Sequence, residues 1–260
     1  MRIATWNING VKARIDTVLS WLKETSPDVA CFQEIKSIDE NFPAGSIEEL
    51  GYNVATHGQK GFNGVAVLSK RPFEEIERRL PGNDADEQAR YIEAVIPTGK
   101  APIRIASLYL PNGNPVDSEK YPYKLAWMER LKDHARIRLE EEEPFILAGD
   151  YNIIPEAKDA RNPENWTEDA LFRLESRSAY RQLVSLGLTE AYRACDDAAD
   201  RYSFWDYQAG AWQKNNGIRI DHLLMSPQAA DLLVTCDIDK FVRGWEKPSD
   251  HVPVWVQLDC

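Results

Sequence analysis

Seven side chains of this sequence combine types that can do chemistry: Asn7, Glu34, Asp150, Asn152, Asp221, Asp250 and His251. Each borders a short apolar run. Asn7 closes RIATWNI, Glu34 closes VACFQE, and Asp150 and Asn152 follow FILAG. Asp221 interrupts RIDHLL, and Asp250-His251 precede VPVWVQL. A carboxylate beside a buried apolar run is costly unless it is hydrogen-bonded, paired or neutralised by a cation. Any one of them alone reads as a turn former or a cap. Four carboxylates, two carboxamides and one imidazole at strand ends converge on one rim if the strands share a direction. All but the imidazole are hard oxygen donors, which suits Mg²⁺, with Mn²⁺ as a substitute, and not zinc. A single histidine near an aspartate suits a proton-transfer pair. These are the parts of metal-assisted phosphodiester hydrolysis: a cation on the phosphate oxygens, an activated water and help for the leaving oxygen.

The elements that must position these groups follow from periodicity and punctuation. Strands are expected at 2–8, 29–34, 52–56, 63–69, 74–80, 90–96, 102–110, 145–149, 202–207, 218–225, 233–241 and 252–258. Helices are expected at 11–24, 118–141 and 168–186. The strands are too irregularly connected for repeated βαβ units. The pattern predicts an α/β (α+β) fold of two packed sheets with helices outside, in one domain spanning 1–260. Alternation turns His222 to the opposite face from Asp221, so His222 is expected to be structural, as are His57 and His134.

The totals exclude several classes. The chain has 260 residues, 43% hydrophobic and 28% charged, which rules out collagen-like, low-complexity and disordered proteins. No apolar run is long enough to cross a bilayer, and the start does not read as a signal peptide. Cys31, Cys195, Cys236 and Cys260 are scattered and expected to be reduced, in a cytoplasmic monomer. The net charge is −11, with 31 basic and 42 acidic side chains. Taken alone, that argues against a polyanionic partner. The acidic runs Glu140–Glu143 and Asp196-Asp197 are expected to be solvated faces.

Seven motifs then occur in a recognisable order: Trp6-Asn7-Ile8-Asn9-Gly10, Gln33-Glu34-Ile35-Lys36, Gly61-Phe62-Asn63-Gly64-Val65-Ala66, Tyr109-Leu110-Pro111-Asn112-Gly113, Gly149-Asp150-Tyr151-Asn152, Gly217-Ile218-Arg219-Ile220-Asp221-His222 and Ser249-Asp250-His251-Val252-Pro253. From residue 1 to about 258 the chain closely resembles the bacterial exonuclease III family of AP endonucleases, within the endonuclease/exonuclease/phosphatase superfamily. The resemblance implies a DNase I-like, four-layer αββα sandwich with two mixed sheets. It implies a Mg²⁺-dependent DNA-repair nuclease acting on double-stranded DNA with abasic sites, nicks, gaps or blocked 3′ ends. Such enzymes release 5′-mononucleotides from 3′ ends, incise 5′ to abasic sites and clean 3′ ends.

The same resemblance implies roles. Glu34 is the main metal ligand with Asn7 close by, and Asp250 lines a second or alternative metal position. Asp150 orients or deprotonates the attacking water or protonates the leaving oxygen, and Asn152 holds a phosphate oxygen. Both, with His251, are further candidate metal-site residues. His251 contacts the scissile phosphate or acts as base, oriented by Asp221, and Tyr109 hydrogen-bonds the phosphate. Lys36, Lys60, Asn63, Arg90, Asn112, Asn216 and Arg219 are candidate DNA contacts, with Lys120, Lys124 and Lys214 nearby. Phe204, Trp205 and Ile218 resemble the abasic-sugar pocket, and Trp212 is a candidate for stacking on DNA. A related phosphatase or sphingomyelinase-like esterase, and a silent DNA-binding scaffold, are the competing readings. The first should lack the Asn112-Gly113 and Trp205-Asp206-Tyr207 contexts. The second should have lost part of the Glu34, Asp150, Asp221 and His251 set.

Overall fold

Continuous apolar runs make central strands, and alternating ones make strands with one wetter face. A computed structural model describes residues 1–260 and arranges them in two six-stranded sheets. The first contains β1 (Arg2–Asn7), β2 (Val29–Gln33), β3 (Asn53–His57), β4 (Val65–Ser69), β11 (Leu233–Ile238) and β12 (Val254–Leu258). Its order is β11-β12-β1-β2-β4-β3. The second contains β5 (Glu75–Arg78), β6 (Tyr91–Ile96), β7 (Ile103–Tyr109), β8 (Phe145–Asp150), β9 (Thr189–Glu190) and β10 (Asp221–Met225). Its order is β5-β6-β7-β8-β10-β9.

The core lies between the sheets, where Ile3, Cys31 and Val67 of the first meet Ile105, Ile146 and Leu223 of the second. Helices α1 (Val11–Thr25) and α2 (Ala44–Glu48) bury Val18, Trp21 and Ile47 with Trp6 and Phe32 of the first sheet. Helices α3 (Lys120–Glu140) and α4 (Leu174–Val184) bury Trp127, Leu131 and Tyr180 with Leu108 and Leu147 of the second. The result is the expected αββα sandwich. The short α5 (Ala191–Cys195) and α6 (Pro227–Ala230) contribute Tyr192 and Ala229 to the intersheet core.

Each sheet has one parallel pair, β1-β2 joined by α1 and β7-β8 joined by α3; the other pairs are antiparallel. The candidate site grows from the carboxyl ends of these four strands, as in open α/β sheets. Asn7 ends β1 opposite Gln33, and Glu34 follows directly. Tyr109 pairs with Asp150 across β7-β8, and Asp150 pairs with Asp221 across β8-β10. Register therefore places three candidate residues side by side.

Four expected elements are different. Residues 202–207 do not form a strand: Phe204 makes only isolated bridges to Ile218 and His251. Residues 218–220 stay outside β10, and β11 stops at Ile238, with a 3₁₀ turn at Lys240–Gly244. Residues 168–173 are turns, so α4 begins at Leu174. Their strand-like or helical patterns are satisfied by packing under loops; Phe204 and Ile218 belong to a small separate apolar cluster.

One buried charge cluster fixes α3 on its sheet. Glu93 of β6 is fully buried. It accepts hydrogen bonds from Tyr91 at 2.5 Å and pairs with His134 at 3.0 Å, Arg138 at 2.7 Å and Arg104 at 2.9 Å. Burial alone would raise its pKa, but the His134 and Tyr91 hydrogen bonds and the Arg138 charge outweigh that and bring it to about 2. The unfolded value is about 4.3, so this carboxylate stabilises the fold above that pH and loses its contribution as pH falls toward 2. Glu93→Gln is expected to destabilise by about 3–5 kcal/mol at neutral pH, the usual cost of breaking a buried pair. The deficit should shrink on acidification from pH 4.5 toward 2, read from urea midpoints at each pH. A pH-independent deficit would contradict this assignment.

Candidate active site

The centre of the rim is one amide. Asn7 is fully buried. Its Nδ2 donates to Glu34 Oε1 and to Asp150 Oδ2, both at 2.9 Å. One carboxylate comes from each sheet. Glu34 sits at φ 49, in the left-handed region. For a non-glycine residue that conformation stores local strain. Burial would raise the Glu34 pKa, but the Asn7 amide and Lys36, 2.9 Å from its other oxygen, outweigh it and hold it below the ordinary value.

Beyond Asp150 runs a second chain of charge. His251 Nε2 lies 3.7 Å from Asp150 Oδ2, and His251 Nδ1 lies 2.8 Å from Asp221 Oδ2. Ser203 Oγ donates to the same Asp221 oxygen at 2.6 Å, while Asp221 Oδ1 is buried with no partner. Burial opposes protonation of His251, but Asp221 and Asp150 outweigh it and raise its pKa well above the usual imidazole value. Burial, with Asp221 adding to it, raises Asp150 against the pull of His251. Two carboxylates around one imidazolium thus share one positive charge. Tyr109 is pushed up by burial and then by Glu34 and Asp150, so it stays a neutral donor.

This donor set fits a hard divalent cation. Ligand oxygens or nitrogens of Asp150, Asp221 and His251 lie within 4.8 Å of one another. Glu34 faces Asp150 across the Asn7 amide, and the unpartnered Asp221 oxygen adds uncompensated negative potential. Oxygen donors with a single imidazole do not make a zinc set. Asp250 stands at the edge: its Oδ1 accepts from Asn9 Nδ2 at 3.0 Å, and Asn9 Oδ1 in turn accepts from Lys36 at 2.5 Å.

Asn152, at φ 47, takes its place through its neighbours. Its Nδ2 donates to the Leu110 carbonyl at 2.9 Å and its Oδ1 accepts from Asn112 at 3.0 Å. Beneath both loops lies Lys124 of α3, which is fully buried. Its Nζ donates to the Asn152 carbonyl at 2.6 Å and to the Asn112 carbonyl at 3.0 Å. Burial lowers its pKa to about 7 against the pull of Asp150 and Asp169. Gly113, at φ 90, lets the loop lie on the lysine stem: a Cβ there would sit 2.7 Å from Lys124 Cδ. The expectation of a DNA-facing Lys124 is therefore corrected to an internal strut.

The remaining candidate DNA contacts divide. Lys60, Asn112 and Asn216 are exposed, and Lys36 and Arg90 are half-buried at the rim. Arg90 stacks 4.9 Å from the Tyr109 ring centroid. Asn63 is buried and donates to Gln59 and Gln88, which fixes its loop. Arg219 is corrected outright: it is 1% exposed and pairs with Asp159 at 2.8 Å and Glu190 at 3.0 Å. Trp205 is fully buried and holds Trp212 edge-on at 5.0 Å, so Trp205 is a support and touches no DNA. Trp212 is half-buried under Lys240, 5.4 Å away. Phe204 packs edge-on to His251 at 4.9 Å and, with Ile218, Asn216 and Trp166, lines a cavity of about 290 Å³. Trp166 lies outside every motif, and no sequence signal marked it.

A two-sheet sandwich whose rim joins metal-competent carboxylates to a charged histidine defines a phosphoester hydrolase. The chain belongs to the Endonuclease/Exonuclease/phosphatase family, whose profile matches residues 4–251. It is 35% identical to exodeoxyribonuclease III of Haemophilus influenzae over 266 residues, covering 99% of this chain and 100% of that one. The solved structure of an AP endonuclease from Archaeoglobus fulgidus is similar with a TM-score of 0.95 and 35% identity, over 100% of both chains. A 3′ phosphatase, NExo, from Neisseria, solved with product DNA hairpin, matches at TM-score 0.96 and 33% identity, over 100% of both chains.

Lys124→Met keeps the stem and removes the donor. The Asn152 carbonyl, left buried and unpaired, is expected to cost about 1–3 kcal/mol, measured by denaturant titration. Displacing the Asn152 loop should also lower turnover by about 100-fold, with Lys124→Arg recovering part of it. Unchanged stability and turnover would remove Lys124 from the site's support.

Proposed function

We propose that this protein is a Mg²⁺-dependent DNA-repair phosphodiesterase acting on double-stranded DNA, working as a monomer with one domain over 1–260. Its reactions are incision 5′ to abasic sites, 3′-to-5′ exonuclease release of 5′-mononucleotides, and removal of blocking groups from 3′ ends at nicks and gaps. Family membership and exonuclease III relatives support the DNA-repair nuclease reading. The observation that carries the finer reading is the Asp221–His251–Asp150 chain lying against the Phe204–Ile218 cavity. That cavity is small, and its apolar side of Phe204, Ile218 and Trp166 suits a sugar that has lost its base.

In this reading Glu34 and Asp150, with Asn7 between them, hold Mg²⁺, and Asp250 lines an alternative position. When bound, the cation supplies positive charge to the phosphate oxygens. Asp221 holds His251 protonated at Nδ1, so Nε2–H is free to donate to a non-bridging phosphate oxygen. An imidazole that keeps its proton past neutrality is poorly suited to be the base. That leaves Asp150 to take the proton from the attacking water. Asn152 and Tyr109 donate to the phosphate as its charge develops. Lys36, Lys60, Arg90, Asn112 and Asn216 form the outer rim that receives the backbone. No helix is long and apolar enough to cross a membrane, and none is needed for this chemistry.

Purified protein with Mg²⁺ is expected to nick a duplex carrying one abasic site on its 5′ side, and EDTA should abolish the nick. Asp150→Asn and His251→Asn should each slow it by about 100-fold or more. Incision that survives EDTA would overturn the metal assignment. Turnover of inositol phosphates with no action on abasic duplex would overturn the substrate. Duplex affinity should also fall as salt rises, since a local basic rim carries the contact. A salt-independent affinity, measured by fluorescence anisotropy, contradicts that account.

A further inference from the structure

The sandwich has an open side, where β9 ends one sheet and β11 ends the other. The short helix α5 follows β9 directly and packs on both β10 and β11, so it spans the two sheets there. Its inner face is Ala191 and Tyr192, both buried in the intersheet core. Residues three and four apart share a helix face, so Cys195 continues that face at its outer end. Cys195 is exposed there. Opposite it, strand alternation sends Thr235 and Asp237 outward and turns Cys236 inward, against the same core.

One thiol thus hangs from the end of the second sheet and the other from the edge strand of the first. Cys236 Sγ donates to the Tyr192 carbonyl at 3.7 Å, and that carbonyl also accepts from the Asp196 amide at 2.8 Å. A helical carbonyl points along the axis toward the residues three and four places on, so the Cys236 sulfur reaches the turn that ends in Cys195. Burial pushes the Cys236 thiol up, and the Cys195 thiol, within hydrogen-bonding reach, adds to the rise. The other two cysteines are placed elsewhere. Cys31 is sealed in the core, and Cys260 lies past the Leu233–Leu258 pairing, on the side away from Cys236.

We infer that Cys195 and Cys236 are a modification site for peroxide, which joins them in a reversible disulfide and staples the two sheets at this edge. The Cys195 sulfur attacks a peroxide oxygen: an S–O bond forms, the O–O bond breaks, and water leaves a sulfenic acid. The Cys236 sulfur then attacks the Cys195 sulfur: the S–S bond forms, the S–O bond breaks, and the hydroxyl leaves as water with the Cys236 proton. Two thiols together lose two electrons, and hydrogen peroxide takes them up as two waters. Exposure sets the order, since Cys195 is open to solvent and Cys236 is half-buried. The bond closes a loop of about 40 residues, the kind of constraint that stabilises by restricting the unfolded chain. Inside that loop lie Asp221 and Ser203, which together hold His251, and Phe204, which packs on its ring.

The test treats the purified, reduced protein with hydrogen peroxide in EDTA. Peptide mapping without reductant is expected to find a Cys195–Cys236 link that dithiothreitol removes. The oxidised protein should melt about 5–10 °C above the reduced one. Cys236→Ser should lose both the link and the shift, and should leave a sulfenic acid on Cys195 that dimedone captures. Cys195→Ser, a change at an exposed position, should also lose the link and leave Cys236 unreacted at the same dose. Four free thiols after treatment, a link to Cys31 or Cys260, or a link between two molecules overturns the pair. A melting temperature unchanged or lowered by the link overturns the staple. Dimedone capture on Cys236 in the Cys195→Ser protein, with none on Cys195 in the Cys236→Ser protein, overturns the order of attack.

Discussion

The bifurcated hydrogen bond from Asn7 is the constraint on which the rest of the rim depends. Its Nδ2 reaches a carboxylate on each sheet, so it works only while the two sheets hold their relative position. The intersheet polar contacts below it keep that position. Gln33 donates to Ser107 at 2.9 Å, and Ser107 donates to the Phe32 carbonyl at 3.0 Å, all buried between β2 and β7. An apolar contact could slide there; hydrogen bonds between buried groups have a register, and losing one leaves a costly orphan. The same logic governs His251. Trp6 of β1 donates to its backbone carbonyl at 3.1 Å while Asp221 of the other sheet fixes its ring. The site is a property of the sandwich and of neither sheet alone.

That dependence explains what was legible in the sequence. Residues at strand ends could be found because a carboxylate next to a buried run needs a reason to be there, and the strands themselves were marked by continuous apolar stretches. Asn7, Glu34, Asp150, Asp221 and His251 were found that way and do meet. Residues between 202 and 220 were less readable. Their alternation resembled a strand, yet Phe204 and Trp205 serve a small separate packing problem around loops. A hydrophobic alternation says that every second residue is buried; it does not say against what.

Cations were the least readable class. Lys124 and Arg219 both lie near motifs, and a lysine or arginine near a phosphate site invites a phosphate contact. Both are buried instead, one against two carbonyls and the other between two carboxylates. The partners of Arg219 are Asp159, 60 positions away, and Glu190, 29 positions away, and nothing in local spacing announces either. Long side chains reach partners set by tertiary packing, whereas a short carboxylate or carboxamide at a strand end has its position fixed by the strand.

The acidic total poses the same question of place. Lys12, Lys36 and Lys60 line one recess, and Lys36 joins Glu34 there. The exposed run Glu140–Glu143 begins sixteen residues beyond Lys124 on α3. At ~1.5 Å per residue that is about 24 Å away from the strut under the site. The Debye length in physiological salt is about 8 Å, so a charge at that distance acts on the rim only weakly. Around the Asn7 amide, Glu34, Asp150 and Asp221 outnumber the His251 imidazolium and Lys36, a local negative excess that is the condition for holding a cation. The net charge of −11 therefore does not exclude a polyanion. Part of it is the negative potential of the rim, whose carboxylates would hold a metal ion and through it offer positive charge to phosphate.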